Sequence, residues 1–215
     1  MERRITDSCH AGTDGHGRPG YRRPVRKPDS DCWLHPGIEV RDSPIEGRGL
    51  FARQPLPAGA VVSRLGGRLV SWSELRELIA DPQQPYVDTI SFSETEHLVL
   101  PPRRPNGYGN HSCDPNLWWI GPYELATRRP VSTGEELTND YATSTADPDF
   151  TLRCGCGAAL CRGTVTGADW RRPDLQERYG EHWIPMLLAR ISRLERKAGV
   201  RPGSYAYGDA DDDFS

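Results

Sequence analysis

Through the middle of the chain, apolar and polar positions alternate only over short stretches, each ended by glycine, proline or serine. Ile38–Val40, Val61–Leu65, Tyr86–Phe92, His97–Leu100, Leu117–Ile120 and Glu124–Thr127 have the content of strands. Ser73–Ala80 reads as one short helix, with Ser71 or Ser73 as N-cap and Asp81-Pro82 as the stop. From residue 173 the period changes. Leu175, Tyr179, Trp183, Leu187, Ile191 and Leu194 recur every three or four residues and form one apolar helical stripe. Pro185 interrupts it and predicts a break or kink, a short helix followed by a longer one. Such a stripe is a packing face, for its own domain or for a partner. The two ends have no periodicity. The pattern divides the chain into a disordered, mildly basic tail (1–31), a β-rich domain (32–146), a cysteine-bearing segment (147–172), a helical segment (173–200) and an acidic tail (201–215).

Composition sharpens this picture in three ways. With 22 glycines and 19 prolines in 215 residues, many turns and few long helices are expected. The formal net charge of −3 excludes a global basic field, so direct nucleic-acid binding is not expected. No apolar run approaches the roughly 20 residues that cross a bilayer, and the first residues lack the apolar stretch of a secretory signal. The expectation is an intracellular, cytoplasmic protein without membrane partners. There the six cysteines stay reduced and favour metal over disulfides.

Four segments carry candidate chemistry: Gly47-Arg48-Gly49-Leu50-Phe51, Asn110-His111-Ser112-Cys113-Asp114-Pro115-Asn116, Gly134-Glu135-Glu136-Leu137-Thr138-Asn139-Asp140-Tyr141 and Cys154-Gly155-Cys156 followed by Cys161-Arg162-Gly163. Cys154, Cys156 and Cys161 offer three thiolates from one tight loop. Tetrahedral zinc needs a fourth ligand; Cys113 is the natural candidate, with Cys9 and Cys32 as rivals. Taken alone, Gly47-x-Gly49 is a turn or a close backbone approach to a ligand. It precedes no helical pattern, which excludes a dinucleotide fingerprint. Asn110 and His111 offer both donors and acceptors, for a polar ligand or for a structural turn. Tyr141 is a core residue or a hydrogen-bonding partner of a reacting group.

Together, in this order and spacing, the four segments resemble the SET-domain lysine methyltransferases with a post-SET zinc motif, over roughly residues 38–163. The resemblance implies a mainly β SET-domain fold of several small sheets with a pseudoknot, a post-SET zinc loop and C-terminal helices. It implies S-adenosylmethionine held by the Gly47–Gly49 loop (Arg48, Gly49, Leu50), Asn110, His111 and Tyr141, with Tyr141 catalytic. It implies zinc on Cys113, Cys154, Cys156 and Cys161. The activity it implies is methyl transfer to a lysine side-chain amine of a protein or peptide. Trp118, Trp119 and Asn139 are candidate channel residues, and strand alternation lets only one of the two tryptophans face the channel.

Three departures from the family pattern stand out. Asn139 replaces an aromatic two residues before Tyr141, which opens the number of methyl groups and the kind of amine. Gly107-Tyr108-Gly109 stands where Arg-Phe-x is usual. The nearest aromatic after the last zinc cysteine is Trp170, nine residues on. Two other readings therefore stand beside the first: an S-adenosylmethionine-dependent enzyme acting on a small-molecule amine, and a non-catalytic interaction module.

Overall fold

The computed structural model describes residues 27–83, 87–197 and 199. The expected acidic tail, most of the expected N-terminal tail, Cys9 and Tyr86 lie outside these residues. The elements are β1 (Trp33–Leu34), β2 (Ile38–Asp42), β3 (Arg48–Ala52), β4 (Val61–Arg64), β5 (Arg68–Ser71), α1 (Trp72–Ala80), β6 (Thr89–Ser91), β7 (Glu96–Val99), β8 (Asn110–His111), β9 (Leu117–Trp119), β10 (Glu124–Thr127), β11 (Glu136–Asn139), β12 (Thr151–Arg153), β13 (Thr164–Thr166), α2 (Pro173–Tyr179) and α3 (Pro185–Lys197). The fold is mainly β, as the resemblance implies.

The strands form four small sheets, in the orders β1-β4-β10-β9, β2-β3-β11-β8, β5-β7-β6 and β12-β13. All named pairings are antiparallel except β11 with β8, where Thr138 faces Asn110 and Asn139 faces His111. That parallel contact corrects the reading of Asn110-His111 as a turn. The segment is a two-residue strand fixed by a partner 28 residues further on, which local propensity does not register. The same long-range pairing makes a strand of Glu136–Asn139, whose composition is not strand-like.

Helix α1 starts on Ser71, not Ser73: the Ser71 side chain accepts the Glu74 N–H and so satisfies one of the free first-turn donors. The helical stripe splits as expected, but by a different device. Helix α2 ends at Tyr179, Gly180 takes a positive φ of 52°, and Pro185 is the first residue of α3 rather than a kink within it. Leu175, Tyr179, Trp183, Leu187 and Ile191 are buried, and they extend the core formed by Leu98, Leu117, Trp119 and Leu137. Leu194 is 42% exposed. The stripe is thus mainly an internal packing face. Among the described residues no helix is long and apolar enough to cross a membrane.

Candidate active site

The parallel crossing of β8 and β11 brings three of the four sequence segments together. Asn110 Nδ2 donates to the carbonyls of Glu46 and Arg48, both at 3.1 Å, and to Glu136 Oε1 at 2.8 Å. The Asn110 amide thus pins the glycine loop to β11. Ser43 Oγ donates to the same Glu136 carboxylate at 2.8 Å. A Cβ at Gly49 would sit 2.1 Å from Glu136 Oε1 and 3.2 Å from Asn110 Nδ2, so any side chain here would displace the carboxylate that Asn110 holds. Carboxylate, bare strand and carbonyls form an acceptor-rich cradle, which suits a ligand bearing an ammonium group. The acceptors therefore fit the ammonium group of S-adenosylmethionine. The Arg48 guanidinium lies over the Tyr108 ring, 5.1 Å from its centroid.

On the other side of the crossing Tyr141 opens a short 3-10 turn, Tyr141–Thr143, capped by the Asp140 side chain. Tyr141 Oη donates to the Gly109 carbonyl at 3.0 Å. The Tyr141 N–H donates to His111 Nδ1 at 3.2 Å, so the proton of a neutral imidazole is on Nε2, 3.3 Å from Cys113 Sγ. Burial pushes the His111 pKa down, against the opposing pull of Asp140, and so favours that neutral form. Tyr141, Gly109, Asn139, Trp119, Phe150 and Leu50 line a cavity of about 710 Å³, walled on one side by Met186 and Arg190 of α3.

The four sulfur atoms of Cys113, Cys154, Cys156 and Cys161 lie within 4.8 Å of one another. Cys113 and Cys154 are 3.8 Å apart, the sulfur separation that a tetrahedral ion with zinc–sulfur bonds of about 2.3 Å would need. Four thiols in this arrangement fit a structural zinc. The N–H of Arg162 donates to Cys113 Sγ at 3.3 Å, and that of Cys113 to Cys156 Sγ at 3.5 Å. Burial acts to raise the Cys156 pKa, but the N–H groups of Cys113 and Ala158 outweigh it and hold it at about 6, towards the thiolate form that ligates metal. Cys32 is not in this group. Its thiol donates to the Gly66 carbonyl.

Behind Tyr141 lies a buried charge centre that sequence reasoning missed. Asp140 has no exposed side-chain area and receives a two-pronged contact from Arg162, at 2.6 and 2.7 Å. Tyr179 Oη of α2 donates to it at 2.8 Å, and the Ala142 N–H at 3.0 Å. Arg162 Nε lies 3.0 Å from Asp169 Oδ2. The signal was present in the Asp-Tyr and Cys-Arg-Gly strings, but only the fold brings them together. As strand alternation requires, only one of the two tryptophans faces the cavity. Trp119 lines the cavity and donates to Thr143 Oγ1, whereas Trp118 points away and stacks on His182 at 3.4 Å. Trp170 is buried beneath Arg190 and Arg171 as a core residue.

Residues 47–142 match the family model described as SET domain. Histone-lysine N-methyltransferase ash1 of Drosophila melanogaster is 27% identical over 154 residues, 63% of this chain and 7% of that protein. Histone-lysine N-methyltransferase Su(var)3-9 of Drosophila pseudoobscura pseudoobscura is 31% identical over 165 residues, 60% of this chain and 24% of that protein. The chain thus spans under a quarter of the length of these curated relatives. The solved methyltransferase domain of human histone-lysine N-methyltransferase SETMAR superimposes with a TM-score of 0.47 at 23% identity, over 61% of this chain and 57% of that one. Residues 47–142 thus carry the SET-domain match, and the four-cysteine cluster beside them is of the kind a post-SET zinc motif would supply.

Proposed function

We propose that this protein is an S-adenosylmethionine-dependent methyltransferase whose acceptor is a lysine side-chain amine of a protein. The observation that carries the reading is the placement of Tyr141, with its Oη held at the Gly109 carbonyl on the wall of a cavity while its backbone is fixed by His111 at the zinc-cluster side. The histone-lysine N-methyltransferase names of the relatives support the acceptor class.

When bound, S-adenosylmethionine supplies an activated methyl group. Arg48, Gly49, Leu50, Asn110 and His111 would hold it, and the four cysteines would hold zinc. The chain's own residues do the rest by positioning. A lysine amine has an ordinary pKa of about 10.4 and must be neutral to react. The walls formed by Trp119, Phe150 and Leu117 disfavour the ammonium form by excluding water. Tyr141 Oη and the Gly109 carbonyl, already paired with each other, are placed to orient the neutral amine. The phenol has no role as a strong base here, since an ordinary tyrosine ionises near pH 10.

One observation favours a small-molecule amine instead. Asn139 puts a polar amide in the cavity wall where the family usually has an aromatic ring. The test incubates zinc-loaded protein and methyl-labelled S-adenosylmethionine with lysine peptides, a protein mixture and a panel of small amines. Label on peptide lysine, lost in Tyr141→Phe, is the expected result. Label only on small amines would establish the second reading. No label on any acceptor, with intact cofactor binding that Asn110→Ala abolishes, would make the protein an interaction module.

A further inference from the structure

Four carboxylates line the cavity, Asp88, Glu94, Asp147 and Asp149; the last three are exposed, and only Asp88 is partly withdrawn from solvent. Asp88 is half-buried in the cavity wall; its backbone carbonyl accepts the Leu100 N–H at 2.9 Å, while its carboxylate makes no hydrogen bond or ion pair with any described residue. Burial alone pushes its pKa up. Glycine at residue 107 leaves the carboxylate room in this position: a Cβ there would lie 2.4 Å from Asp88 Oδ2 and displace it. Gly107, one of the departures from the family pattern, thus lies directly against Asp88.

The cations nearby are committed elsewhere. Arg104 pairs with Asp31 at 2.7 Å, and Arg190 of the same cavity pairs with Glu94. A partly desolvated carboxylate without a donor is unfavourable, and a cationic ligand relieves it. The reacting amine is a poor candidate for that cation. A carboxylate beside it would stabilise its ammonium form, which cannot accept a methyl group. A different positive charge on the same acceptor meets both conditions.

The geometry points to Asp88 as a specificity residue for a second positive charge, close to the methylated amine, so that the preferred acceptors are dications such as a lysine flanked by a basic side chain. This inference rests on the proposed methyl transfer to an amine, but it is tested separately by binding. Calorimetry compares 1,5-diaminopentane with 1-aminopentane on the zinc-loaded protein. The diamine is expected to bind about tenfold more tightly, the scale of one partly shielded ion pair. In Asp88→Asn the two should bind within about twofold of each other, while Asp88→Glu keeps the preference. Removing an unpaired carboxylate should leave Tm unchanged or higher, so a loss of preference is not a loss of fold. Transfer kinetics on paired peptides, with arginine or its uncharged analogue citrulline beside the lysine, should show the preference in KM, with kcat little changed. A diamine preference that persists in Asp88→Asn, or its absence from the native protein, overturns the inference. An Asp88-dependent preference without methyl transfer removes the methyltransferase reading and leaves the site. Transfer without charge preference does the reverse.

Discussion

Asp140 and Tyr141 are adjacent, yet they are exposed to opposite demands, and substitutions should separate them. Asp140 accepts bonds from Arg162, Tyr179 and the Ala142 N–H in a fully enclosed space. Arg162→Met leaves that charge without its main partner. Breaking one side of a buried pair costs about 3–5 kcal/mol, so Tm should fall by roughly 10 °C in a thermal melt. Arg162→Lys should recover only part of this, because an ammonium cannot make the two-pronged contact. If Arg162→Met melts with the native protein, the pair is not holding the site together. Tyr141→Phe should behave differently. It removes one donor to the Gly109 carbonyl, a stability effect of about 1 kcal/mol. The same change should lower kcat on a lysine peptide by about a hundredfold or more, as loss of a positioned donor does. A Tyr141→Phe enzyme with native kcat would end its assignment as catalytic.

The elements differ in how much of them their own residues specify. Glu124–Thr127 is a strand in both the pattern and the fold, because its Leu-Ala-Thr run packs between two antiparallel neighbours. Asn110–His111 and Glu136–Asn139 are strands because they pair with each other across 28 residues, and Glu136–Asn139 also joins Arg48–Ala52 across 85 to 87, so no short window of sequence contains those pairings. The same holds at the site. The alternation of Trp118 and Trp119 was legible, but the side that faces the cavity is set by His182, which lies in the α2–α3 link and also donates to the Trp119 carbonyl. The clustering of the four cysteines was legible because three of them share a loop. Helix α3 makes a further connection that its stripe did not announce: Arg190 and Arg193 pair with Glu94 in the β6–β7 turn, across the cavity wall. The hydrogen bond from Arg190 holds the Glu94 pKa below its ordinary value, against burial. A lowered carboxylate pKa means stability that is present above the unfolded value and lost as pH falls through the folded one. Glu94 is well exposed, so the contribution should be under about 1 kcal/mol. Thermal melts of native protein and Glu94→Gln should therefore differ slightly at pH 7 and converge below the ordinary glutamate range. A gap that widens on acidification would contradict the clamp.

At the scale of the molecule, the cysteine cluster is the point where the SET domain, the post-SET loop and the C-terminal helices meet. Cys113 is three residues from Asn110, and its sulfur receives the His111 Nε2–H and the Arg162 N–H. Its carbonyl accepts from Arg178 of α2 at 2.9 Å. A metal held by Cys113 and by the Cys154–Cys161 loop would fix the backbone of the cofactor pair and the anchor of Arg162 in one step, so its loss cannot be local. Zinc release by a strong chelator should lower Tm and should also weaken S-adenosylmethionine binding by about tenfold or more, since a site assembled by metal is lost with it. Titration calorimetry before chelation, after it and after zinc is restored reads the coupling, with metal content measured at each stage. Recovery on zinc addition distinguishes reversible ordering from damage. A verified zinc-free sample that keeps native circular dichroism and unchanged affinity would show that the cradle of Asn110, Gly49 and Glu136 stands without the cluster. The hydrogen bonds from Asn110 to Glu46, Arg48 and Glu136 would then be sufficient to hold the cofactor side of the site.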